Sequence, residues 1–145
     1  MPAQPGPPVG VLRALLVAAG EHLCAIPVTQ VRRVVRALPV HPLPGAAPEL
    51  LGLAEFTGEP IPVLDLGRLV NAPPGARPTA PVTVIAWAGS PNCRELVGLA
   101  ADAALEIVEI APSEVVPSGA GSLCGDATIA GRSVRVLNLE TLGTP

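Results

Sequence analysis

Aromatic side chains are almost missing from this sequence of 145 residues: Phe56 and Trp87 are the only two, and there is no Tyr. A platform for stacking unpaired nucleic-acid bases needs several exposed rings, so that function class is excluded. Lysine is absent too; the 9 basic residues are all Arg, against 12 acidic ones, and the net charge is −3. No basic stripe is therefore available to track phosphates. Charged residues make up 14% of the chain and apolar ones 49%, where soluble domains usually carry about a quarter charged. So sparsely charged a surface implies apolar area that a partner covers.

Cysteine occurs only at 24, 93 and 124. The number is odd, the spacing wide, and no C-x-x-C pair is present, which argues against both a disulfide framework and a zinc site. The three read as reduced, half-buried small apolar residues of a cytosolic protein. Long hydrophobic runs are lacking as well, none approaching the roughly 18 residues of a spanning helix. Residues 14–24 follow Arg13 and are apolar at first, but Glu21 and His22 break the run and a Pro-rich stretch precedes it, so it reads as a strand pair rather than an export signal.

What the chain has in plenty is turn chemistry, with 19 Pro and 15 Gly set in a sequence too apolar for disorder. About ten short strands are the natural reading, at spacings near those of a sandwich or small barrels. Residues 1–10 read as a disordered Pro-rich leader. Residues 11–18 and 22–26 predict two strands around Gly20 and Glu21. Val28 to Val31 begin one helical turn, after which β-branched residues and Pro39 predict extension over 34–40. Residues 71–81 are a stiff Pro-rich linker dividing two lobes. Strands are expected over 82–87, 95–100 and 104–110, then a capped turn at 113–117 and a hairpin joining 126–129 to 133–137, with Asn138 capping a helix over 139–142.

The most informative stretch is 51–66. Two apolar runs flank Thr57, Gly58, Glu59 and Pro60, which predicts a tight hairpin. Pro60 and Pro62 remove ladder donors on one side only, which fits an edge or corner strand. Asp65 is placed to cap a helical turn over 66–70.

The candidates for chemistry are few. His22 and Cys24 share a strand face, the proximity that a Cys–His nucleophile pair needs, but no orienting carboxylate or amide stands at a readable spacing, so packing explains them. The carboxylate of Asp65 invites a general-base reading that capping already accounts for. Gly119 and Gly121 lack the Lys of a phosphate loop. Arg32, Arg33 and Arg36 form the one basic cluster, a solvated face or a dock for an acidic patch.

Gly52, Gly58, Pro62, Asp65 and Leu66, in that order and spacing, resemble the central signature of the chemotaxis coupling proteins, the CheW-like family. Gly98 and Asp102 with residues 103–107 are similar to a second family segment. The resemblance covers residues 11–143 as one domain. It implies an all-β fold of two SH3-like five-stranded β-barrels sharing an apolar seam, with short helical turns. It further implies a cytoplasmic, non-enzymatic adaptor that binds a methyl-accepting chemoreceptor and the regulatory domain of a CheA-like histidine kinase, with no cofactor, metal, nucleic acid or membrane insertion. Partner contacts are implied at Arg33, Gly52, Glu55, Thr57, Gly58, Ala104 and Ile107. Three positions depart from the pattern: Glu55 stands for the usual Asn, Thr57 for the usual Arg, and Arg33 for a usual acidic residue. The usual carboxylate–Arg contact therefore cannot form, and either Arg33 pairs with Glu55 or Glu59 or the interface is altered. The alternatives are a CheW-like module serving another sensory complex and a small Cys/His hydrolase.

Overall fold

The computed structural model describes residues 11–69, 81–90, 92–117 and 124–139. The expectations for the leader at 1–10, for the linker short of Pro81, for Gly119 and Gly121, and for the helix beyond Leu139 lie outside the described residues.

The chain opens with β1 (Leu12–Ala19) and β2 (His22–Pro27), turns through a 3-10 segment (Val28–Gln30), and continues into β3 (Val31–Arg36). The helical turn at Val28 is as expected, but the strand begins three residues earlier and ends at Arg36, before Ala37 at a φ of 54°. The expected extension over 34–40 is corrected accordingly. Then come β4 (Leu50–Phe56), β5 (Glu59–Asp65) and the short helix α1 (Leu66–Leu69). Strands β6 (Val82–Ala88), β7 (Glu95–Ala101) and β8 (Ala103–Ile110) follow, then a 3-10 turn (Pro112–Glu114), β9 (Val116–Pro117), β10 (Cys124–Ile129) and β11 (Arg132–Leu137).

These strands form two sheets, one of six in the order β8-β1-β2-β11-β10-β9 and one of five in the order β3-β6-β7-β5-β4. Among the described residues no ladder closes either sheet into a barrel. The two edges of the five-stranded sheet are nonetheless tied, because His41, in the chain leaving β3, exchanges both backbone hydrogen bonds with Leu53 on β4, at 2.7 and 2.9 Å.

Alternation along the strands explains why the sequence reads as near-continuous apolar runs. One buried cluster takes Val17, Ala19, Cys24 and Ile26 from the first sheet and Val84, Ala86, Val97 and Leu99 from the second, so it is a seam shared by both. The opposite faces feed separate cores: Ala14, Leu16, Leu23 and Ala25 pack with Val134 and Val136, while Ile85 packs with Phe56 and Ile61. Strands buried on both faces cannot alternate polar with apolar residues. The seam is also stitched by polar contacts: Gln30 accepts from the Leu139 backbone N–H at 3.0 Å and donates to Asn138 Oδ1 at 3.2 Å. Leu139 O in turn accepts from Gly89 N–H at 2.9 Å.

The proline argument for β5 needs correcting. It is an interior strand, antiparallel to β4 and parallel to β7. Pairing with β7 runs only from Val63 to Asp65, so the stretch holding Pro60 and Pro62 lacks that second neighbour. Leu53, opposite Pro62, directs its N–H and C=O toward His41, so the Pro62 nitrogen faces away from β4 too and no ladder bond is lost. Asp65 caps as expected, accepting from Gly67 N–H at 3.0 Å.

Two hairpins share one turn geometry. Thr57 and Gly58 (φ 51° and 83°) join β4 to β5, and Ala130 and Gly131 (φ 51° and 79°) join β10 to β11. Two positive φ values in a two-residue loop are the type I′ arrangement, which favours Asn or Asp at the first position. Thr57 is partly compensated, since its Oγ1 donates to Phe56 O at 2.7 Å; Ala130 has no such group. Ala130→Asn is therefore expected to stabilise the domain by up to about 1 kcal/mol. A thermal melt that shows no gain would mean that this turn is not held at positive φ.

Candidate functional site

The expected contact residues fall into two places. Arg33, Glu55, Thr57 and Gly58 gather around the tip of the β4–β5 hairpin and are all exposed. Arg33 is brought there by register: it pairs with Ile85 and so faces the side of the five-stranded sheet that holds Phe56. Its guanidinium carbon lies 5.8 Å from the centre of the Phe56 ring, within the range of a cation–π contact. Among the described residues Arg33 makes no ion pair with Glu55 or Glu59, so that expectation is replaced by the ring contact. Phe56 was missed as a site residue. The only signal for it was its rarity, as one of two aromatics placed next to the turn.

Gly52 belongs to this hairpin but is buried. A Cβ there would lie 2.1 Å from His41 O, so the glycine lets the chain leaving β3 cross β4. Its partner across the ladder is Val63, which also pairs with Gly98. At Gly98 a Cβ would meet Thr83 Cγ2 at 2.9 Å and Val63 Cγ2 at 3.2 Å. The two signature glycines thus flank one valine and let three strands close on it.

Ala104 and Ile107 lie elsewhere, on β8, an edge strand of the six-stranded sheet. They pair with Val17 and Leu15, which face the seam, yet Ile107 is 52% exposed. Leu105 is the extra residue of a bulge between Ala104 and Glu106 and is 49% exposed. Asp102, just before β8, accepts from Gly20 N–H, and its own N–H donates to Ala18 O at 2.9 Å. It pins the start of β8 to the β1–β2 turn, which accounts for an Asp at that point of the family pattern.

The other candidates for chemistry resolve into structure. Cys24 is fully buried in the seam, so its thiol meets no substrate, and the Cys–His hydrolase reading loses its nucleophile. Cys93, expected to be half-buried, is exposed. Among the described residues no group of three or more His, Cys, Asp or Glu could hold a metal ion, and no helix is long and apolar enough to cross a membrane.

What remains is a two-sheet, all-β domain with its distinctive side chains on a hairpin tip and on strand edges. The chain belongs to the CheW-like domain family, whose pattern it matches over residues 13–144. In fold it is similar to the scaffolding protein TtCheW from Thermoanaerobacter tengcongensis, with a TM-score of 0.71 at 18% identity, covering 90% of this chain and 91% of that one. No curated protein matches its sequence.

Proposed function

We propose that this chain is a cytoplasmic, non-enzymatic adaptor that couples methyl-accepting chemoreceptors to the regulatory domain of a CheA-like histidine kinase. In this reading each sheet curls into an SH3-like barrel. The kinase domain docks on the hairpin tip around Phe56, and a receptor helix docks at the β8 edge. Membership of the CheW-like family carries the reading. The exposed apolar side chains at strand edges support it, since affinity in such contacts comes from apolar burial and specificity from rim charges.

Arg33 over Phe56, where the family pattern has an acidic residue, favours one second reading: the same kind of adaptor serving a different sensory complex. Both readings are tested by titrating a purified CheA-like regulatory domain with the parent, Arg33→Glu, Thr57→Arg and the double variant, at two salt concentrations. Thr57→Arg alone places two guanidinium groups together and is expected to leave binding weak. The double variant restores the usual charge order, with a coupling of about 0.5–2 kcal/mol between neighbouring positions. Strict additivity would remove the hairpin tip from the interface. Absence of binding by all four forms would leave the second reading in place of the first.

A further inference from the structure

Each of the chain's two aromatic rings carries an Arg. Arg33 lies over Phe56, and the guanidinium carbon of Arg94 lies 4.5 Å from the centre of the Trp87 ring. Register puts both pairs on one side of the five-stranded sheet. Arg33 pairs with Ile85, and alternation sends Trp87, two residues further along β6, to the same side. Trp87 pairs with Leu96 on β7, and Leu96 packs against the cluster of Phe56, Ile61 and Ile85. Arg94 stands two residues before Leu96, just ahead of β7. The two pairs also share one end of the sheet. Strand β7 runs parallel to β5 and antiparallel to β6, so the start of β7 and the end of β6 both lie at the end where the β4–β5 hairpin turns.

The charge on this face is unbalanced. Both Arg are exposed, and among the described residues neither makes an ion pair. Glu59 faces the same side, being opposite Phe56 in the ladder. Glu55 and Glu95 are next to Phe56 and Leu96 in the chain and so point to the other side. Two guanidinium groups thus stand against one carboxylate. An Arg held over a ring is ordered in advance, while the N–H donors around its edge stay open to an acceptor. A carboxylate matches that fork with two parallel hydrogen bonds, and the ordering lowers the entropy lost on binding.

We propose that Arg33 and Arg94 are specificity-determining residues, a pair of fixed forks that take two carboxylates on an otherwise apolar loop of the partner protein. Trp87 and Leu96 receive the apolar part of that loop. This rests on the reading of the hairpin tip as a docking surface, and it extends that surface to residues of β6 and β7.

The probe is a disulfide-closed hairpin peptide with Leu at its turn and one Glu on each side; its counterpart has Gln in both places. Trp87 is the chain's single Trp, so its emission reads binding to the full chain directly. The parent is expected to bind the Glu hairpin at least about tenfold more tightly than the Gln hairpin, with the difference shrinking as salt rises. Arg33→Gln and Arg94→Gln should each remove most of that preference. Arg94→Lys should not preserve it, because an ammonium group offers no fork. Trp87→Leu, read by calorimetry, keeps the Arg94 charge and should still lower the preference. Arg13→Gln removes the same charge from β1 and should change nothing. Equal binding of the two hairpins, binding of neither, or a preference untouched by Arg94→Gln would overturn the proposal. If the kinase domain fails to bind the chain while the hairpin preference holds, only the hairpin-tip reading falls.

Discussion

Gly52→Ala is expected to unfold the domain or to cost most of its stability. The added Cβ would lie 2.1 Å from the carbonyl oxygen of His41, 2.7 Å from its carbon and 2.9 Å from Pro42 Cα. All three are backbone atoms, and they cannot rotate away as a side chain would. His41 is held in place by its two hydrogen bonds to Leu53, so relief means breaking the tie between the edges of the five-stranded sheet. The φ of 154° adds strain for any residue with a Cβ. An effect above about 4 kcal/mol is expected, a large share of the 5–15 kcal/mol typical of a domain. Gly58→Ala is the control: it also has positive φ, at 83°, but nothing lies within 4 Å of its Cβ position. It should cost only about 1 kcal/mol. If urea titrations give the two variants similar losses, close backbone approach is not the reason for Gly52.

Val63→Asp should be nearly as damaging, for a different reason. Val63 is 0% exposed and packs with Ala54 and Ala100, with Leu38 and Val40 against them. These neighbours offer no cation and no side-chain donor. A carboxylate there would be buried without a partner, which costs roughly 3–5 kcal/mol. Both flanking ladder partners are glycines, so no side chain can move aside to admit water. A melting temperature within a few degrees of the parent would place Val63 outside the core.

Most of the fold was legible from local chemistry. The hairpin at Thr57 and Gly58, the Asp65 cap and the two-faced apolar strands each depend on residues a few positions apart, where turn propensity and capping act. The interior position of β5 was not, because Pro60 and Pro62 describe only which donors are missing. They do not reveal where β7 stops pairing. The site was legible in part. Arg33 does lie beside the hairpin, but its contact there is with Phe56 rather than with a carboxylate. Nothing local signals that a bulge after Val31 turns Arg33 toward that ring. The reason for Gly52 lies eleven positions back in the chain, at His41, and no spacing rule connects them.

Because β1 and β2 present successive residues to different cores, adjacency along the chain is a poor guide to energetic neighbourhood. Leu15 and Leu16 are joined by a peptide bond, yet one packs toward the other sheet and the other toward Val134 and Val136. A change at Val17 is felt by Leu99, far along the chain, before it is felt by Leu16. A substitution that disturbs the packing is therefore compensated from the other sheet when it falls at an odd position of β1 or an even position of β2, and from within the same sheet's own core at the alternate positions.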